Sequence, residues 1–285
     1  MYESHYKLRE LPFTLRPDPA FLYLSQQHSM ALTLLRYGVE SGLGFTLLTG
    51  EVGSGKSLLV RHLLAGMGNR VTVGLMSNTS RRMGRLLPWV CGAFGLDTQG
   101  ADDATLYRQF TDFIVKEYGA RRRLILIVDE AQNLDADLLE DLRVLSNLNA
   151  DKHLVLQTFL VGQPELRATL RRDDMSQFAQ RIGADYHLSS MSHDDTREYV
   201  KHRLGVAGGD SGLILPEAVD LVHAASGGVP RIVNQLCDTA LVYGFADQRP
   251  NVDAALMQQA IDDRAKGGIL PTGARAHTGL PGIGA

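Results

Sequence analysis

The chain has 285 residues, 44% of them hydrophobic, and a formal net charge of -3. Such a length and apolar share suffice for one large or two modest domains with real cores, and the slightly acidic balance argues against bulk electrostatic attraction to nucleic acid. Cys91 and Cys237 are too few for a disulfide framework and not spaced for a metal, as expected of a reducing cytoplasm. No apolar run approaches the ~18 residues of a bilayer span, and the N-terminus has no apolar core of a secretion signal.

In chain order, Met1 to Ser25 reads as a loop-like lead-in. Pro12, Pro17 and Pro19 exclude a regular helix there, and Phe13, Phe21 and Tyr23 require a surface to pack on: the flat base of a nucleotide, or simply the core. Ser25 then caps a helix carrying Met30, Leu32, Leu34, Leu35 and Val39 that ends near Gly42. Phe45 to Thr49 has the look of a buried strand. It breaks into Gly50-Glu51-Val52-Gly53-Ser54-Gly55-Lys56-Ser57, which satisfies G-x-x-x-x-G-K-[ST], and a helical pattern follows from Leu58. Glycines let successive backbone N–H groups turn inward around a polyphosphate, and the helix presents its positive end to the same charge. Lys56 is placed for the outer phosphates and Ser57 for Mg²⁺. The segment Gly50 to Leu58 is therefore expected to bind ATP.

A second strand is expected at Val71 to Met76, and helices at Leu86 to Phe94 and Leu106 to Tyr118. Leu124 to Val128 is an unbroken aliphatic run, the mark of a strand buried on both faces of a parallel sheet, and it ends in Asp129 and Glu130. In such sheets the strand ends converge on the ligand crevice. Asp129 is thus expected to hold Mg²⁺ and Glu130 to act as base on the attacking water; the alternative is a pair of acids capping the next helix. The glycine turn and the acidic pair are expected to meet across adjacent strand tips.

Leu138, Leu139, Leu142 and Leu145 form a core stripe within a helix from Leu134 to Leu148. Leu154 to Val161 is the next strand, and Gln163 at its tip is a candidate sensor of the γ-phosphate or a simple turn cap. Arg181, before a short strand ending near Leu188, is a candidate arginine finger reaching a neighbouring subunit or an ordinary exposed arginine. From about Ser190 only helices follow: His193 to Leu204, Pro216 to Ala225, Pro230 to Ala246 and Asp253 to Lys266. Arg231, on the first turn after Pro230, is a candidate γ-phosphate contact from a helical lid. The expected organisation is a P-loop core with its lead-in over 1–189, a helical lid over 190–266 and a disordered tail over 267–285, rich in glycine with two prolines.

These residues resemble an AAA+ ATPase, and several strings resemble the ExeA-type ATPases of the general secretion pathway (protein A). They are Leu-Pro-Phe at 11–13, Pro-Asp-Pro at 17–19, Leu-Tyr-Leu-Ser at 22–25 and Thr-Gly-Glu-Val-Gly-Ser-Gly-Lys at 49–56. Further on come Asp-Glu-Ala-Gln at 129–132, Val-Gly-Gln-Pro-Glu-Leu at 161–166 and Gly-Gly-Val-Pro-Arg at 227–231. Within that family the chain looks similar to short members linked to exosortase and exopolysaccharide gene clusters. The resemblance implies a five-stranded parallel sheet, hydrolysis of ATP, a ring or other homo-oligomer with shared sites, and a role in assembling or exporting envelope components. It places the chain in the cytoplasm, reaching the inner membrane through a partner. Full-length secretion proteins of the family continue into a transmembrane helix and a peptidoglycan-binding domain; this chain stops before either, so direct peptidoglycan binding is not expected. The competing reading is a DNA-associated AAA+ regulator like the transposition ATPases, using the arginine clusters at 81–85, 121–123 and 171–172.

Overall fold

The computed structural model describes residues 1–267 apart from 78, 80–83 and 151–152. The expected disordered tail beyond 267 and the arginines at 81 and 82 lie outside the described residues. The rest divides into two units, one of residues 26–189 and one joining residues 1–25 to the chain from 190 onward.

The first unit is an α/β sandwich. Its helices are α1 (Gln26–Glu40), α2 (Lys56–Ala65), α3 (Leu86–Ala93), α4 (Asp103–Gly119), α5 (Ala136–Leu145), α6 (Pro164–Leu170) and α7 (Ser176–Ala179). Strands β1 (Phe45–Gly50), β2 (Val71–Met76), β3 (Arg123–Val128), β6 (Leu156–Gly162) and β7 (Ile182–Leu188) form one parallel sheet in the order β2-β3-β6-β1-β7. A two-residue hairpin, β4 (Asn149–Ala150) with β5 (His153–Leu154), stands apart from it. The burial of each strand matches its rank: β1 and β6 are covered throughout, while the edge strands β2 and β7 alternate with exposed positions. Strand side chains point to opposite faces in turn. Leu124, Leu126 and Val128 therefore join the core under α3, α4 and α5, and Ile125 and Ile127 the core under α1 and α2. Each such side chain contributes about 1.5–3 kcal/mol by leaving water. The expectation that β1 and β3 are adjacent is corrected: β6 lies between them.

Glu117 on α4 closes the sheet's edge. It accepts from Thr72 on β2 and, bidentately, from Arg122 at 2.8 and 2.6 Å. The Arg122 guanidinium holds its carboxyl far down, to about 2, against the opposing effect of burial. A depressed carboxyl contributes stability that is complete above its unfolded pKa near 4.5 and is lost as pH falls toward 2. Glu117→Gln should therefore lower Tm at pH 7 by more than at pH 3 and converge with the wild type only below about pH 2, as paired melts across that range would show.

The second unit is helical: α8 (His193–Val206), α9 (Pro216–Ser226), α10 (Pro230–Ala246) and α11 (Ala254–Gly267). Its core includes Val200, Leu204, Val222, Leu236 and Leu241, and also Tyr2, Tyr6, Phe13 and Phe21 from the lead-in. Assignment of residues 1–25 to the P-loop core is thus corrected, and of the two surfaces open to the lead-in aromatics the core takes them: Phe13 and Phe21 are buried here and Tyr23 packs half-buried against them. The buried Arg203 shows how the lead-in is held. It donates to the carbonyls of Pro12 and Thr14, donates 2.9 Å to the Tyr199 hydroxyl and stacks 4.7 Å over the Phe21 ring. Tyr199 in turn donates 2.8 Å to Asn234. A lead-in without regular structure buries its polar backbone only where such partners satisfy it. Among the described residues no helix is long and apolar enough to cross a membrane, and Cys91 and Cys237 are free and buried.

Candidate nucleotide-binding site

At the carboxyl end of β1 the chain turns through the glycine loop into α2, which begins at Lys56, two residues before the periodicity suggests. Gly53 and Gly55 have φ of 84° and 98°, a left-handed backbone that suits glycine. Gly50 is needed for closeness: a Cβ there would lie 2.5 Å from the Leu188 carbonyl oxygen on β7. Glu51 and Val52 are exposed at the crest, and Gly53, Ser57 and Leu58 are half-buried. The buried Lys56 ammonium donates 2.7 Å to the Gly50 carbonyl and 2.8 Å to that of Glu51, drawing the loop into a closed turn.

The two motifs meet through Ser57, whose hydroxyl donates 2.8 Å to Asp129 Oδ2. Although β6 separates the strands, the loop and first turn of α2 carry Ser57 across the gap. Asp129 Oδ1 accepts from the Glu130 backbone N–H at 3.0 Å. Glu130 has φ 53° and ψ 38°, an uncommon setting for a non-glycine residue that signals a site held by its surroundings. The holder is Thr79, whose hydroxyl lies 3.0 Å from the Asp129 carbonyl and 2.8 Å from that of Glu130. Asn133 donates 3.2 Å to the Thr79 carbonyl and closes the latch.

Gln163 sits at the N-cap of α6 but makes no side-chain cap. Its amide donates 3.0 Å to Glu130 Oε2, and the Gln132 amide donates 2.6 Å to the same oxygen. Gln132 Oε1 also accepts the Gln163 backbone N–H at 2.9 Å. Two amides and one carboxylate thus form a closed triangle joining the tips of β3 and β6. Gln132 was missed as a site residue although it stands in the 129–132 string; only the fold reveals its partner. Gln132→Ala should keep nucleotide affinity while lowering turnover about tenfold, since one of two charge-assisted hydrogen bonds fixing the base is lost. Steady-state kinetics would separate the two effects.

Other neighbours carried no signal in the sequence. His28 on α1, buried, donates from Nε2 to the Ser54 carbonyl at 3.0 Å and braces the loop from behind. Arg167 on α6 donates 2.6 Å to the Thr49 hydroxyl at the end of β1, and His187 Nδ1 lies 3.1 Å from that hydroxyl. Burial, then the nearby Arg167 cation, depresses the His187 pKa, so the ring is neutral there.

Arg181 is not part of this assembly. It is exposed, donates 3.0 Å to Asn147 and precedes β7, whose first residue pairs with Phe45 at the far end of β1. Six strand residues at ~3.3 Å each put it on the order of 20 Å from the loop of its own chain. Arg231 is exposed on the first turn of α10, in the helical unit.

The donor set fits a metal-bound polyphosphate. Ser54 Oγ is buried without a partner among the described residues, the Lys56 cation lies within the loop, and a hydroxyl and a carboxylate stand together at 57 and 129. A parallel sheet in this order, with the glycine loop on β1 and the acidic pair on β3, is the fold of AAA+ ATPases. A family model described as an AAA domain matches residues 39–170. The chain is related to General secretion pathway protein A of Aeromonas hydrophila, to which it is 41% identical over 247 residues. That alignment covers 86% of this chain and 45% of the relative, so the chain spans about half of that protein's length. Among solved structures, the Aeropyrum pernix ORC2 protein matches with TM-score 0.66 and 18% identity over 88% of this chain and 71% of that one. Cdc6p from Pyrobaculum aerophilum matches with TM-score 0.66 and 16% identity over 86% and 70%. At such identities the likeness is one of fold.

Proposed function

We propose that the chain binds ATP with Mg²⁺ at the glycine loop, hydrolyses it, and uses the cycle to assemble or export components of a cell envelope. The observation that carries the reading is the 2.8 Å contact of Ser57 with Asp129, which brings the two halves of the site together. Ser57 and Asp129 would hold the metal, which when bound supplies positive charge to the phosphate oxygens. Backbone N–H groups of 53–58 and Lys56 bind the phosphates. Glu130 takes the proton of the attacking water, and Gln132 and Gln163 keep its carboxylate oriented for that transfer.

Arg181 is proposed to act on the site of a neighbouring copy, being too far from its own. Arg231 is proposed as a γ-phosphate contact. Mixing Arg181→Ala protein with Lys56→Ala protein tests the first: activity restored in mixed oligomers supports a shared site, and none restored removes the role. The envelope role follows the relation to General secretion pathway protein A, with the chain cytoplasmic and attached to the inner membrane through a partner. Cross-linking the Glu130→Gln variant in membranes with ATP or ADP tests this. Recovery of an integral membrane protein with ATP alone is expected; equal recovery with both would end the proposal. The DNA-associated reading draws less support, because Arg85, Arg122 and Arg172 are already paired with Asp103, Glu117 and Asp174. ATP-stimulated, submicromolar duplex binding with a steep salt slope would reinstate it.

A further inference from the structure

At the edge of the sheet opposite the phosphate loop, β2 and β3 begin at Val71 and Arg123, beside the carboxyl ends of α1 and α2. These ends enclose a cavity of about 390 Å³, a size typical of small-molecule sites. Leu63 and Val71 give it an apolar floor, while Arg36, Arg70, Arg121 and Arg123 line it against the single carboxylate of Glu40. One of the four is already engaged, since Arg123 donates to the carbonyls of Val39 and Glu40 and so caps α1. Among the described residues Arg36, Arg70 and Arg121 have no ion-pair or side-chain hydrogen-bond partner.

Arg121 shows the arrangement most clearly. Helix α4 ends with Arg121 N–H bonded to the Tyr118 carbonyl at 2.9 Å and Arg122 N–H to that of Glu117 at 3.0 Å. Residue 121 is left with φ 58°, the position glycine ordinarily takes. An arginine is kept where the backbone favours glycine, and it lines the cavity. A helix end is satisfied by one cation, and its field fades within a turn; the three other guanidiniums are exposed and line one cavity with an apolar floor, where their donors are available to a ligand. All are arginine, whose planar fork matches a phosphate through paired N–H donors.

We propose that this cavity binds a phosphate ester, presented either by a soluble small molecule or by a lipid headgroup. A single concavity interrupted by Glu40, beside an Arg122 already tied to Glu117, suits one phosphorylated group better than the continuous backbone of a duplex.

The test keeps the glycine loop saturated with MgADP, so that added phosphate reports on the second site. One arm titrates pyrophosphate by calorimetry; the other sediments the protein with vesicles of phosphatidylglycerol or of phosphatidylcholine. Arg121→Gly and Arg36→Ala are the variants, since glycine suits the left-handed turn and alanine the exposed helix. The expected result is binding in at least one arm, weakened about tenfold by each variant and by added salt, with ADP affinity unchanged and Tm not lowered. Pyrophosphate binding identifies a soluble ligand; binding to phosphatidylglycerol vesicles alone identifies a headgroup. No binding in either arm, or binding that both variants retain, overturns the proposal. Duplex DNA binding lost in the variants while both arms stay blank would assign the surface to nucleic acid instead.

Discussion

Lys56→Ala is expected to weaken ATP affinity about a hundredfold, the loss of a charge-assisted hydrogen bond to the phosphates of about 1.5–3 kcal/mol. The same ammonium bridges the carbonyls of Gly50 and Glu51, so the loop itself should loosen. Removing it leaves those oxygens without their donor, at a cost of about 1–3 kcal/mol. A fluorescent nucleotide titration, paired with a melt in the absence of nucleotide, reads both effects. Wild-type affinity in the variant would remove the phosphate-loop assignment; lost affinity with an unchanged melt would show that the bridges do not hold the loop.

Glu130→Gln should leave ATP bound and reduce turnover by about 10²–10⁴, the usual worth of a positioned general base. The isostere suits this site. Its amide oxygen can accept from Gln132 and Gln163 as the carboxylate does, so the triangle survives while the base is gone. Glu130→Ala strips both donors of their acceptor and should disturb the tips of β3 and β6 as well. Single-turnover hydrolysis alongside equilibrium binding distinguishes the two, and a Gln variant with full turnover would place the base elsewhere.

Much of this was legible along the chain because it is local. The aliphatic run of β3, the glycine spacing and the step from mixed α/β to helices near 190 each follow from neighbouring residues. What sequence order does not encode is which strands lie side by side. Adjacent tips for the two motifs were the simplest expectation, yet β6 intervenes and Ser57 spans the gap. Thr79 and Gln132 escaped notice for the same reason, since a hydroxyl or an amide gains a role only when a distant carbonyl or carboxylate is brought to it. The lead-in was misassigned on similar grounds. Tyr2, Phe13 and Phe21 announce that they must be buried, but not beneath what, and the helices that bury them lie nearly two hundred residues away.

That connectivity has a bearing on biosynthesis. Residues 1–25 leave the ribosome before the sheet unit, whereas α8 to α11, which cover them, leave after it. Domains fold as units while the chain elongates, so the sheet unit can complete itself while four aromatic side chains wait uncovered. Closing the helical core then joins ends across an intervening stretch of about 160 residues, whose entropic cost rises only logarithmically with length. The cost is far smaller if that stretch is already compact. A variant that slows formation of the sheet should therefore fail first through aggregation at residues 1–25, and a chaperone that grips extended aromatic segments should find its substrate there.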